Sequence, residues 1–142
     1  MKSKNENPHY PLDNMLVYQE FGHLGHVVAD FKVPVGTLVY AILNGVVTMT
    51  CQDSKTYGRF VTILHGDGHE SWYAHLSKTL VHKGDIVQGG TIIGLSGGAV
   101  GADGAGQTTG WHLHFEVRVP GHLDHNKYNV DPIKYILSYM IE

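Results

Sequence analysis

The chain has 142 residues, enough to bury one hydrophobic core without covalent staples, and its single cysteine, Cys51, excludes an internal disulfide. A net charge of −3 at pH 7 removes any general attraction for nucleic acid or an anionic membrane, so partners have to be recognised locally. No apolar run approaches the roughly 20 residues that span a bilayer, so membrane insertion is not expected.

Residues 1–20 read as an irregular lead-in, punctuated by Pro8, Pro11 and Asn14, ahead of a single domain over residues 21–142. Met1 to Asn14 is polar, with Lys2 and Lys4 but no hydrophobic segment behind them, which is not the pattern of a secretory leader. In His26-Val27-Val28-Ala29-Asp30 an imidazole and a carboxylate stand four residues apart. Val27, Val28 and Pro34 disfavour a helix there, so a folded-back loop or short strand is expected. Leu38 to Ile42 and Val46 to Met49 are strand-like and flank Asn44-Gly45, a hairpin signal. Asp53-Ser54-Lys55 with Gly58 marks a turn before the strand Phe60 to Leu64, and Gly66-Asp67-Gly68 turns the chain into Glu70 to His75. Two further turns, Lys83-Gly84-Asp85 and Gln88-Gly89-Gly90, precede the short apolar run Thr91 to Gly94. A glycine-rich loop from Gly97 to Gly110 leads into Trp111-His112-Leu113-His114-Phe115-Glu116. At the end, Asp131 can cap a helix that begins at Pro132 and turns Ile133, Ile136, Leu137 and Met140 to one side. Short strands with frequent turns predict a mainly β domain, an antiparallel sandwich and barrel-like hybrid of strands and hairpins with one C-terminal helix.

The chemistry is concentrated in the run around Leu113. Side chains two apart on a strand share a face, so His112 and His114 converge on one spot while Leu113 and Phe115 turn into the core. Two imidazoles can bind a metal, move protons, or do one each. Joined to one histidine of this pair, His26 and Asp30 complete a set of two imidazoles and a carboxylate. Such donors suit zinc, and three protein ligands leave a fourth position open for water, as in catalytic rather than structural sites. The second histidine of the pair is then placed to handle that water's proton. His75, in Tyr73-Ala74-His75-Leu76, taken alone, reads as a surface or core residue.

In order, His26-x3-Asp30, Pro34-Val35-Gly36-Thr37-Leu38-Val39-Tyr40-Ala41, Asn44-Gly45-Val46-Val47, Tyr73-Ala74-His75-Leu76 and Gly110-Trp111-His112-Leu113-His114-Phe115-Glu116 resemble the lysostaphin-type zinc endopeptidases, which cut peptide bonds in peptidoglycan. The resemblance runs from about Gly22 to Val119. It implies that His26, Asp30 and His114 hold one Zn2+ per chain. It also implies that His112 acts as general base and that His75 steadies water or the developing oxyanion. The substrate so implied is the peptide of peptidoglycan cross-bridges or stem peptides, cut by a monomer that is extracellular, periplasmic or associated with the cell wall. Without a leader pattern, delivery by a lost leader, by excision from a larger protein or by a phage is expected. Val28 stands where the family has glycine and Trp111 where it has proline, and the Gly97 to Gly110 loop is several residues longer.

Other readings carry less. His69-Glu70-Ser71-Trp72-Tyr73 begins like a zinc-binding His-Glu-x-x-His helix, but Tyr73 stands where the second histidine is needed. Gly101 to Gly106 has the composition of a phosphate loop without its Lys-Ser/Thr or its helix. Glu116 and Arg118 share the face of His112 and His114 by parity, which makes either a supporting group or an exposed strand end. By the same parity Tyr73 is paired with His75, as an oxyanion donor or as core. His9, His65, His82, His122 and His125 lie in or beside turns and are expected in solvent. One rival function is a non-catalytic family member that binds and regulates wall hydrolases; the presence of all five site residues argues against it. The other is a carrier domain built on the Gly84-Asp85-x-Val87 turn, for which Lys83 and Lys55 lack the flanking residues of a modified lysine.

Overall fold

The structure, a computed structural model, describes residues 4–15, 18–23, 26–106, 110–124 and 128–141, with backbone alone at 4, 18–23, 26 and 27. Among the described residues, a 3-10 turn at Lys4–Glu6 is followed in order by ten strands and one α-helix: β1 (Tyr18–His23), β2 (His26–Phe31), β3 (Leu38–Tyr40), β4 (Gly45–Ser54), β5 (Gly58–His65), β6 (Glu70–Ala74), β7 (Leu76–Thr79), β8 (Ile86–Val87), β9 (Ile92–Ser96), β10 (Leu113–Arg118) and α1 (Pro132–Met140). Seven strands form one sheet in the order β1-β2-β10-β6-β5-β4-β8, and β3-β9-β7 form a second. Every described strand pair is antiparallel. The mainly antiparallel β architecture with a single terminal helix is the one expected from the turn spacing.

Alternation along the central strands sets the core. Leu113, Phe115 and Val117 of β10, Tyr73 of β6, Val61 and Ile63 of β5 and Phe31 of β2 are all buried on one face. That face packs against Val39, Ile93 and Leu76 of the small sheet and against Ile136, Tyr135 and Tyr139 of α1. The opposite face of the same strands carries Asp30, His114, Glu116 and Trp72, so the functional groups lie on the back of a rigid, well-packed wall.

Asn44-Gly45 is not a hairpin turn. β3 pairs with β9 and β4 with β5, so the Asn-Gly step carries the chain from one sheet to the other. Its conformation is set by distant partners: Asn44 Oδ1 accepts from the Gly89 N–H at 3.0 Å and the Asn7 amide at 2.9 Å, and the Asn44 N–H donates to the Glu6 carbonyl. The same packing draws in the lead-in, where Leu12 is fully buried and the His9 N–H donates to the Ile42 carbonyl.

α1 starts as expected. Asp131 accepts from the Ile133 and Lys134 N–H groups and Pro132 occupies the first turn. The helix is pinned at its other end by Asp67, in the β5–β6 turn, which accepts from Tyr135 Oη at 2.8 Å and Tyr139 Oη at 2.6 Å. Burial alone would raise this carboxyl, yet the hydrogen bonds from Tyr139, the His69 N–H and Tyr135 hold it down to about 2. A carboxyl lowered on folding stabilises the native state above its unfolded pKa, and that stabilisation is lost as the pH falls through its folded value. Asp67→Asn is therefore expected to cost about 1 kcal/mol at neutral pH, a discounted value for a partly solvated set of charged hydrogen bonds. In urea melts the gap between parent and variant should stay constant above pH 5 and close between about pH 4 and pH 2. A gap unchanged at pH 2 would show that Asp67 is not the group responsible.

Candidate metal and catalytic centre

β10 lies between β2 and β6, and its register places the central groups. His114 stands directly opposite Asp30 across β2 and opposite Ala74 across β6, while Glu116 faces Trp72. Asp30 Oδ1 lies 3.2 Å from His114 Nδ1 and 3.8 Å from His112 Nε2. His112 sits just before β10, bridged to Gly97, with its ring centroid 4.9 Å from that of His75. The His75 and His114 rings are 5.8 Å apart and edge-on, and ligand atoms of His75, His112 and His114 all fall within 4.8 Å of one another.

His75 reaches this face through a break in strand alternation. Its φ is +60°, in the left-handed region that a residue with a side chain rarely adopts. The parity that pairs it with Tyr73 therefore fails. Tyr73 is fully buried, packs on Phe115 at 5.3 Å, and its hydroxyl accepts from Ser71 Oγ and the Ile42 N–H, so it belongs to the core. Gly97 wedges between the two catalytic candidates. A Cβ there would meet the Ser77 N at 2.7 Å and the His75 carbonyl at 2.8 Å, while the Gly97 carbonyl accepts from the His112 N–H.

Backbone carbonyls select the tautomers of the two outer imidazoles. His75 Nδ1 lies 2.5 Å from the Ala105 carbonyl and His112 Nδ1 lies 2.8 Å from the Gly110 carbonyl. A carbonyl only accepts, so both Nδ1 atoms carry hydrogen and both Nε2 lone pairs are left for the site when the rings are neutral. Burial, aided by the neighbouring histidines, pushes His75 down to about 4 and keeps it neutral at pH 7.

His114 is held differently. Its Nε2 donates to Glu116 Oε2 at 2.8 Å while Nδ1 points toward Asp30. Burial disfavours its charge, but hydrogen bonding to Asp30 and Glu116 outweighs that and pulls it up to about 9. Glu116 is itself fully buried; burial would raise it, but His114 and Arg118 hold it low and ionised. Arg118 donates from Nε to Glu116 Oε1 at 2.7 Å, from Nη2 to Tyr57 Oη and from Nη1 to the Leu123 carbonyl. Its guanidinium lies 3.4 Å from the Trp72 ring centroid. Of the two roles left open by parity, Glu116 and Arg118 take the supporting one.

The donor set fits a zinc ion. Asp30 Oδ1 is buried and faces imidazole nitrogens, His114 Nδ1 and, at 3.8 Å, His112 Nε2, a carboxylate and imidazole donor set of the kind that holds zinc. Its 3.2 Å separation from His114 Nδ1 compares with the edge of about 3.3 Å that two zinc ligands at tetrahedral angles span. A carboxylate on the far side of an imidazole, as Glu116 is to His114, is the usual outer partner of a metal-bound histidine. β2 places positions 26 and 30 on one strand face by parity; the His26 side chain lies outside the described residues.

Other histidines differ from expectation. His65 is buried, bonded through Nδ1 to the Asn44 carbonyl and through Nε2 to Ser71 Oγ, because it ends β5 on the core-facing parity of Val61 and Ile63. His9 is half-buried against Tyr40, His122 is half-buried, and His82 is exposed as expected. His125 lies outside the described residues. Two supports of the site, the Ala105 and Gly110 carbonyls, are backbone groups that no residue type announces. Trp72 had a usable signal, since it shares strand parity with Glu70 and Ala74 on the site face.

Imidazoles and a carboxylate converging on the open face of an antiparallel β domain make a candidate metal centre, and the comparisons with known proteins place the chain among the metallopeptidases. The signature of peptidase family M23 matches residues 24–132, and the chain belongs to that family. The peptidoglycan DD-endopeptidase ShyA of Vibrio cholerae is 45% identical over 96 residues, 68% of this chain and 21% of ShyA. The solved catalytic domain of the antimicrobial peptidase lysostaphin from Staphylococcus simulans is similar at a TM-score of 0.66 and 32% identity, covering 94% of this chain and 95% of that one. A zinc-containing peptidase from Vibrio cholerae is similar at a TM-score of 0.64 and 31% identity, covering 85% and 37%. The chain spans about a fifth of the length of the curated relatives it matches.

Proposed function

We propose that this domain is a zinc endopeptidase that hydrolyses peptide bonds in the cross-bridges or stem peptides of bacterial peptidoglycan, acting outside the cytoplasm as a monomer. The observation that carries the reading is the buried Asp30 Oδ1, set 3.2 Å from His114 Nδ1 among three converging imidazoles. His26, Asp30 and His114 hold the ion, and Glu116 orients His114 from behind. When bound, zinc supplies a Lewis acid for the scissile carbonyl and lowers the pKa of water at its open position to roughly 7. His112 Nε2 takes the proton of the attacking water and returns it to the leaving amine. His75, neutral with its proton on Nδ1, offers Nε2 as an acceptor, so it steadies the second O–H of that water rather than donating to an oxyanion. The named activity of ShyA as a peptidoglycan DD-endopeptidase and of lysostaphin as an antimicrobial peptidase supports the substrate class.

Purified cell walls provide the test. Incubation with the protein should release soluble fragments, chelation should abolish release, and added zinc should restore it. Release that continues after the metal has been removed would overturn the proposal.

A further inference from the structure

His75 is clamped from two sides by one residue outside the catalytic set. Arg59, near the start of β5, is 9% exposed, and its guanidinium reaches acceptors on three separate segments. Nη1 donates to the Ser77 carbonyl at 2.6 Å and to the Leu76 carbonyl at 3.3 Å, the two residues that follow His75. Nη2 donates to Asp103 Oδ2 at 2.8 Å in the glycine-rich loop, and Nε donates to Gln52 Oε1 at 2.7 Å. The Arg59 N–H donates to the Gly104 carbonyl at 2.8 Å, so the loop lies flat along the start of β5. The approach leaves no room for a side chain. Gly104 has φ +78°, and a Cβ there would meet Arg59 Nη1 at 2.4 Å.

The residue after Gly104 supplies the carbonyl that accepts the hydrogen bond from His75 Nδ1–H. Strained φ values persist where the surroundings over-determine them, and His75 is one of two described non-glycine residues with positive φ. We propose that Arg59 is a positioning residue: by tying the Gly104–Ala105 segment to the Leu76–Ser77 backbone, it holds His75 in its left-handed conformation and in the Nδ1–H tautomer that presents Nε2 to the site. The inference deepens the proposed function and rests on its assignment of His75 to the reaction.

The contacts separate the fork from the ion pair. The Asp103 side chain is 93% exposed, so its salt bridge with Arg59 contributes little. The bonds to the Leu76 and Ser77 carbonyls, made together with the one to Gln52, use the planar fork of the guanidinium, a geometry that a lysine ammonium does not reproduce. A neutral imidazole held on one carbonyl is a single tautomer, and the nitrogen-15 shifts of its ring report which one.

The experiment is nitrogen-15 NMR of histidine-labelled, zinc-loaded protein, with wall-hydrolysis kinetics on the same samples. Parent protein should show His75 wholly as Nδ1–H. Arg59→Gln, and equally Arg59→Lys with its charge and buried stem retained, should give a mixture of tautomers. In both, kcat should fall about tenfold, a fraction of the roughly 10²–10⁴ that a positioned proton-transfer group contributes, with KM and zinc content unchanged. Asp103→Ala should keep the parental tautomer and kcat. A folded Arg59 variant whose His75 stays entirely Nδ1–H overturns the proposal. So does an Asp103→Ala variant with the full loss. The tautomer reading stands apart from activity: a parent protein that cleaves no peptide bond refutes the proposed function, while the NMR still decides the role of Arg59.

Discussion

His112→Ala should retain zinc at one ion per chain while losing wall hydrolysis by about 10²–10⁴-fold, whereas His114→Ala should lose the metal and the activity together. The two residues are two positions apart on one strand face, yet their surroundings divide them. His114 stands opposite Asp30 in the register, points Nδ1 at Oδ1 and is braced through Nε2 by a buried carboxylate. His112 is anchored by the Gly110 carbonyl and turns Nε2 toward His75 and Asp30 from further away. Zinc content by atomic emission, read beside the hydrolysis rate, checks the division. Equal loss of zinc from both variants would show that the roles are shared rather than split.

Glu116→Ala should destabilise the fold by about 3–5 kcal/mol, the cost of removing one partner from a buried ionic set. Glu116 is fully buried and bonded to His114 on one side and Arg118 on the other. Its loss strands the Arg118 guanidinium inside the sheet, where Trp72 covers its face but cannot replace its anion. Glu116→Gln is gentler and more informative. The amide keeps the volume, but its nitrogen has to face either the His114 Nε2–H or the Arg118 Nε–H, and both are donors. Zinc affinity should fall about 10–100-fold while the protein stays folded. Competition against a fluorescent chelator measures this. Unchanged affinity in folded Glu116→Gln would mean that the carboxylate serves stability alone.

How far the sequence reveals this centre depends on whether a feature is local. Strand parity shows that His112, His114, Glu116 and Arg118 share a face, because alternation is a property of one strand. The capped terminal helix is legible for the same reason: Asp131 and Pro132 are adjacent to what they control. The position of Asp30 is set by register against β10, more than eighty residues away in the chain, and no local pattern encodes it. Resemblance to a family supplied that link, as it did for His75. The errors follow the same rule. Asn44-Gly45 has hairpin chemistry, but its flanking strands find partners in different sheets. Parity left Tyr73 open between oxyanion donor and core, and it is core, because a single left-handed residue, His75, reverses the alternation after Ala74 and leaves the face of Tyr73. His65 looks like a turn residue and is instead the last inward position of β5.

Loaded with zinc, this site should break a peptide bond and not a sugar linkage. Mass spectrometry of a purified, cross-linked muropeptide dimer after incubation with the zinc-loaded protein tests this most directly. The expected result is two peptide products that together equal the dimer plus one water, with a new free amine at the cross-link or within the stem, and none after chelation. An intact dimer, or scission of the glycan alone, from protein carrying its full complement of zinc would contradict it.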